Sequence, residues 1–286
     1  MDSDLVEAYY GSPEDHLSTD LLMHVTKDLI DLNRGRSKSF ARDALYSQYV
    51  RTPALQLKEL IDRNKGKLKS KLWKLGQARN MDYFESNIFG DAISNLLFKS
   101  GLAQPLEEFN PLEGYDLMFR VTRGGEGGLA GQAVPTEARG IHPSQWGFLD
   151  PSRTPESEKV GISLRATDNV HVDSDGNMYS QMINAKTGEK ELVSSKKLHH
   201  YNIAPYESID EDYAFGIRGG RDMDYIKKDE VDYYTPPDAE SFNPFTRLIP
   251  MLGSAAPGRA LMGAKFAAKA VPTIQREAPL VRVKYQ

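Results

Sequence analysis

Two stretches decide how this chain is read: Asn110–Ile162, NPLEGYDLMFRVTRGGEGGLAGQAVPTEARGIHPSQWGFLDPSRTPESEKVGI, and Phe245–Val281, FTRLIPMLGSAAPGRALMGAKFAAKAVPTIQREAPLV. Both are dense in Gly, Pro and Arg, and neither keeps a helical or strand period over most of its length. Glycine lets a backbone take positive φ and come close to a ligand. Proline stiffens the turns between, and Arg and Lys supply donors suited to phosphate. Such backbone is shaped by what it binds more than by a core of its own.

Outward from these stretches, 286 residues suffice for one large domain or two smaller ones. A net charge of -4 announces no nucleic-acid partner, but the charge is unevenly placed. Lys58–Arg79 carries Lys58, Arg63, Lys65, Lys67, Lys69, Lys71, Lys74 and Arg79 against Glu59 and Asp62 alone. From Arg259 onward, Lys265, Lys269, Arg276, Arg282 and Lys284 face only Glu277, while acid gathers at the N-terminus and between Glu207 and Glu240. Opposite blocks in one chain point to one face for a polyanion and another for a different contact. With no cysteine, disulfides and thiolate metal sites are excluded. The start MDSDLVEAYY is unlike a signal peptide, and no run of about 18 uncharged apolar residues offers a membrane span. The expectation is a cytoplasmic protein that does not enter a membrane.

The first hundred residues read as helical. The cluster Ser18-Thr19-Asp20 offers a cap for a helix through Leu21, Leu22, Val25, Leu29 and Ile30 that stops before Arg34 and Gly35. A second helix-like segment is expected in the forties. Thr52-Pro53 opens a further helix through Leu55, Leu57, Leu60 and Ile61, whose continuation past Gly66 carries the lysines, with Leu68, Leu72, Trp73 and Leu75 as its stripe. Another covers Phe84–Ser100, with Ile88, Ile93, Leu96 and Leu97 inward. Asn110–Ile162 is expected as loop and short strand. Alternation at Val170–Val172, Met178–Ile183 and Glu191–Val193, split by Asp175-Gly176-Asn177 and Lys186–Glu189, predicts an antiparallel meander. Residues 204–244 read as irregular, with a strand near Val231–Tyr234, and Arg259–Lys269 as a short helix.

No motif is a self-sufficient active site. Gly124, Gly125, Gly127 and Gly128 form a glycine loop without the GK[ST] ending of a P-loop or Rossmann spacing, so a flexible hairpin tip is favoured over a phosphate cradle. Asp173-Ser174-Asp175-Gly176-Asn177 starts like a calcium loop, but its sixth position is Met178 and its twelfth Asn184, so a tight turn is the better reading. His199-His200 has no HExxH context and reads as ordinary surface or interface histidines. The lysine run from Lys58 is either the wet side of a helix or a nucleic-acid or partner contact. No catalytic set and no metal site can be named in this chain.

The two stretches resemble the β subunit of multisubunit DNA-directed RNA polymerases. The resemblance is carried first by Asn110-Pro111-Leu112, Arg120, the loop Gly125/Gly127-Gly128-Leu129, Arg139, His142-Pro143, Gly147, Pro151, Thr154-Pro155-Glu156 and Gly161. In the tail it is carried by Leu248-Ile249-Pro250, Arg259-Ala260-Leu261-Met262-Gly263-Ala264, Ala270-Val271-Pro272-Thr273 and Pro279-Leu280-Val281, in the family's order. The first stretch looks like the fork region and the second like the start of the hybrid-binding domain. The implied fold is α+β: a helical part (1–105), a fork-like region (106–165), a β meander or external-like region (166–240) and the start of the hybrid-binding domain (241–286).

The resemblance implies a nucleotidyltransferase subunit that is not catalytic alone. It would wall the active-site cleft and help hold incoming NTP and the RNA–DNA hybrid. Arg259 matches the family's arginine that reaches the NTP phosphates. Lys269 stands where the family has a Gln near RNA, and Arg120, Gln104 and Glu156 match positions lining the RNA side. The glycine loop would be the fork loop. Implied partners are other β-type subunits, a β′-type subunit that holds Mg2+, template DNA, RNA and NTPs. Departures are also visible. The family's acidic stretch before the arginine is Gly253-Ser254-Ala255-Ala256-Pro257-Gly258 here, and Gly131 and Ala133 replace arginines. Leu117, Thr122 and Glu107 replace a His, a Ser and an Asp of the rifampicin pocket, which implies drug insensitivity. The chain is several times shorter than a β subunit and starts with Met1. That leads to the expectation of a β subunit split over several polypeptides, as in giant bacteriophages, located in the infected cell or the virion. The alternative is a β-like remnant acting as a binding or inhibitory module on a host polymerase.

Overall fold

The structure, a computed structural model, describes residues 6–7, 10, 16–36, 42–78, 89–105, 110–125, 127–129, 134–209, 212–237 and 241–270. It is an α+β fold. Helix α1 (Thr19–Asn33) starts where the sequence predicts, with the Ser18 hydroxyl accepting from the Leu21 amide at 3.1 Å. Helix α2 (Pro53–Ala78) begins on the Thr52 hydroxyl, which accepts from the Leu55 amide at 3.2 Å, with Pro53 in its first turn. The expected apolar stripes find little cover among the described residues. Leu22, Leu29 and Ile30 of α1 and Ile61, Leu72 and Trp73 of α2 are exposed. Their period shapes a helix whether or not another element packs on it.

Three expectations are met in part. The helix-like segment expected in the forties is a single 3-10 turn (Leu45–Ser47), and residues 37–41 lie outside the described set. Ala44, Leu45 and Tyr46 are all buried in succession, which suits a strap threaded through packed elements and not an amphipathic helix. The helix expected from Phe84 is described only as α3 (Gly90–Ser94) followed by a π turn (Asn95–Lys99); Ile88 lies outside the described set, and Leu97 is exposed. Within the stretch read as loop, Asn110 caps helix α4 (Pro111–Met118), accepting from the Leu112 amide at 2.9 Å with Pro111 at the first position.

Two sheets follow. Strands β1 (Arg120–Thr122), β2 (Leu149–Asp150) and β3 (Ser163–Ala166) form a small antiparallel sheet in the order β1-β3-β2. The meander is as the alternation predicts: β4 (Val170–Val172), β5 (Met178–Asn184) and β6 (Lys190–Ser194), with β5 paired to both neighbours. In the Asp173 turn, the Asp173 carboxylate accepts from the Asp175 and Asn177 amides at 2.9 and 2.8 Å, the behaviour of a hairpin turn. The region read as irregular is more ordered than expected. Besides β10 (Tyr233–Thr235), at the strand expected near Val231–Tyr234, it contains β7 (Ile203–Pro205) and a hairpin of β8 (Tyr213–Arg218) and β9 (Asp222–Lys227), which together with the meander make a seven-stranded sheet. Gly219 and Gly220, both at positive φ, close that hairpin. Helix α5 (Pro244–Arg247) and helix α6 (Pro257–Lys269) complete the described chain.

Apolar burial is divided. The largest cluster, with Phe148, Leu164, Met178, Met182, Leu198 and Ile203, joins the small sheet to the meander. A second gathers Ala204, Ala214, Ile226, Val231 and Tyr234. A third is Phe245 of α5 against Ala264 and Ala268 of α6. Fully burying Phe148 contributes about 2–3 kcal/mol by area alone.

Candidate nucleotide and nucleic-acid interface

The two stretches that opened the reading pack against each other. Asp150, with no exposed surface, accepts from the Asn243 amide at 2.9 Å and the Thr246 hydroxyl at 2.7 Å, and also from Ser152. The Asn243 side chain donates to the Ala166 carbonyl at 3.1 Å and caps α5 by accepting from the Phe245 amide. At the far end of α6, the Asn110 amide group donates to the Ala270 carbonyl, and Lys269 pairs with Glu113 of α4 at 3.0 Å. Helix α6 is therefore held at its C-terminal end by α4 and along its length by α5. It buries Ala260, Leu261, Ala264 and Ala268 and leaves Arg259 in the solvent.

Arg259 sits in the first turn of α6, and Lys269 is its last residue. Ten residues of helix set them about 15 Å apart along the axis, too far to share one phosphate but suited to two points on an extended polyanion. The Lys269 side chain is 56% exposed, and a pair of that kind is worth at most about 1 kcal/mol, so a phosphate can compete with Glu113 for it.

Arg120 and Gln104 are brought together: the Arg120 guanidinium donates to the Gln104 side-chain oxygen, and its Nε donates to Ser163 at 3.2 Å. Burial and the nearby Arg165 lower the Arg120 pKa, with Asp116 opposing. Glu156 stands exposed on a separate loop, with no contact bringing it to the other four residues among those described. That loop is pinned from behind. The Gly161 amide donates to the Thr154 hydroxyl at 2.7 Å, and Arg139 donates to the Glu158 and Val160 carbonyls at 2.6 and 3.1 Å. Gly161 has φ +69, and a Cβ there would stand 2.1 Å from the Arg139 carbonyl, so only glycine fits.

The glycine loop is a closed tip. The Gly128 amide donates to the Gly125 carbonyl at 3.0 Å and the Leu129 amide to the Arg123 carbonyl at 2.8 Å, while the Gly124 amide turns to Thr122 at 3.2 Å. Amides used in this way are not free to cradle a phosphate, which agrees with the hairpin-tip reading.

Sequence reasoning missed a buried ion-pair cluster. Asp116 of α4 accepts two bonds from Arg165, at 2.8 and 3.1 Å, and one from Arg153. Burial opposes its ionisation, but the hydrogen bonds and charges of Arg165 and Arg153 outweigh it and hold the carboxyl below its usual range. The arginines lie 37 and 49 positions away, so no local spacing announced the cluster. Of the rifampicin-pocket substitutions, Leu117 is half-buried on α4 and Thr122 exposed on β1; Glu107, like Gly131, Ala133 and everything after Ala270, lies outside the described residues. Among the described residues there is no group of three or more His, Cys, Asp or Glu placed to hold a metal ion, and no helix long and apolar enough to cross a membrane.

The arrangement is thus a pinned loop, a closed glycine tip and a docked helix with Arg259 exposed in its first turn. Residues 104–172 match the family described as RNA polymerase Rpb2, domain 3. The DNA-directed RNA polymerase subunit beta of Aquifex aeolicus (strain VF5) is 28% identical over 281 residues, covering 91% of this chain and 19% of that subunit. The subunit beta of Pseudothermotoga lettingae is 26% identical over 294 residues (96% and 25%), and that of Thermotoga maritima 32% over 190 (63% and 15%). The chain is thus a relative of the DNA-directed RNA polymerase β subunit, matching a segment of it. It spans about a fifth of the length of these curated relatives.

Proposed function

We propose that the chain serves as a segment of the β subunit of a multisubunit DNA-dependent RNA polymerase, forming part of the cleft wall that holds NTP and the RNA–DNA hybrid. The observation that carries this is the docking of α6 on α4 and α5, which leaves Arg259 exposed at the start of a fixed helix. In this reading Arg259 offers a bidentate guanidinium to the triphosphate and neutralises charge as the phosphoryl group transfers. Lys269, Arg120, Gln104 and Glu156 face the RNA side, and Gly124–Gly128 form the fork loop. The divisions are 1–105, 106–165, 166–240 and 241–286. In this reading the Mg2+ ions are held by a β′-type partner. The further partners are other β-type chains, DNA, RNA and NTPs. The subunit is split across polypeptides in a giant bacteriophage and works in the host cytoplasm or is carried in the virion.

The test is recovery of the tagged chain from its native cell, followed by an assay for Mg2+-dependent, template-directed RNA synthesis. Co-recovery of β- and β′-like chains with activity supports the reading. Recovery of a host polymerase alone, without synthesis of its own, favours the second reading, an inhibitory or regulatory remnant. The feature that favours the remnant is the replacement of the acidic stretch by Gly253–Gly258. In the active complex, synthesis is expected to persist at rifampicin levels that stop a bacterial enzyme assayed in parallel. Equal inhibition of the two would contradict the account of Leu117, Thr122 and Glu107.

A further inference from the structure

Arg51 lies in the strap that links the small sheet and meander to α2. The strap is fastened at both ends: the Leu45 amide donates to the Ser144 hydroxyl at 2.7 Å, and the Val50 amide to the Gly176 carbonyl at 2.7 Å. One residue later, the Arg51 guanidinium pairs with Glu59, two turns up α2, at 2.5 Å. Its other terminal nitrogen abuts the glycine loop. A Cβ at Gly127, whose φ is +81, would fall 1.6 Å from an Arg51 terminal nitrogen. Leu102 covers Gly125 in the same manner, with a Cβ there 2.7 Å from its methyl carbon. The Arg51 side chain is only 21% exposed, and that of Glu59 33%.

We infer that Arg51, held by Glu59, is a positioning residue that sets the glycine loop from outside, coupling the start of α2 to the loop's conformation. A loop of four glycines has large conformational entropy to lose, and its own closure rests on a few backbone bonds. A planar cation anchored by a charge-assisted hydrogen bond supplies the missing wall. Lysine cannot replace it, because one terminal nitrogen pairs with Glu59 and the other abuts Gly127, and a single ammonium cannot hold both places. The role in RNA synthesis rests on the polymerase reading; the role in loop geometry does not.

The test uses the full chain for hydrogen exchange and the assembled complex for synthesis. Arg51→Ala and Glu59→Gln are expected to speed amide exchange in residues 123–129 about tenfold, with Arg51→Lys close to Arg51→Ala and exchange in 178–194 unchanged as the control for folding. In the complex, both substitutions are expected to lower the elongation rate at saturating NTP while leaving the NTP KM unchanged, unlike a change at Arg259. Unchanged exchange at 123–129, or full protection with lysine, would overturn the clamp. Faster exchange with unaltered elongation would overturn its part in synthesis. A wild-type complex that makes no RNA would instead count against the polymerase reading, since the exchange result needs no activity.

Discussion

Asp116 is the residue whose loss should cost the fold most. Replacing it with Asn leaves Arg153 and Arg165 buried against a neutral amide, and breaking a buried pair in this way costs about 3–5 kcal/mol. The sign of the pH dependence follows from its depressed pKa. The ionised carboxylate stabilises the fold fully above the unfolded value of about 3.9, and that contribution disappears as pH falls through the lower folded value. Urea unfolding at neutral pH should show Asp116→Asn with a much lower midpoint than wild type, and the difference should shrink as pH drops below 4. Equal midpoints at neutral pH would show that the pair contributes nothing. At this scale the sequence was only partly legible. Gly161 and Gly147, carried by the resemblance, do adopt positive φ as a loop of that kind needs. Asp116 stayed hidden because its partners come from a later loop and from β3.

Among the elements, α5 and α6 depend on Asn243. Its side chain both caps α5 and bonds the Ala166 carbonyl, with no exposure to water. Asn243→Ala should cost about 2–3 kcal/mol, the sum of a lost cap and an orphaned carbonyl. It should also raise amide exchange in 244–269 before that of the meander. Uniform acceleration across both would mean that the tail is not fastened as a unit here. The meander and α6 were legible because alternation and helical period are local signals. The β8–β9 hairpin was not, although Gly219-Gly220 sits between its strands, because exposed Tyr213, Phe215, Met223 and Tyr225 blur the alternation. Helix α4 was hidden by its neighbours; Asn110-Pro111 is a cap-and-first-turn pair lodged among glycines and prolines.

At the scale of the molecule, the first two of three apolar clusters share the seven-stranded sheet, and polar fastenings tie the strap and the tail to the rest: the strap through Ser144 and Gly176, Asp150 to Asn243 and Thr246, and Lys269 to Glu113. The exposed stripes of α1 and α2 add to a chain that buries its apolar residues unevenly. The order of the two Gly- and Pro-rich stretches made the relationship to the β subunit legible, although no local period explains either of them. Their mutual packing could not be read from sequence, since it depends on side chains such as Asp150 and Asn243 that lie 93 residues apart. The central claim is that Arg259, at the head of α6, meets the triphosphate. The most direct measurement is the NTP dependence of RNA synthesis by the assembled complex carrying wild-type chain or Arg259→Ala. The expected result is a loss of about 100-fold in kcat/KM, the scale of a removed charge-stabilising donor. A kcat/KM equal to wild type would contradict it.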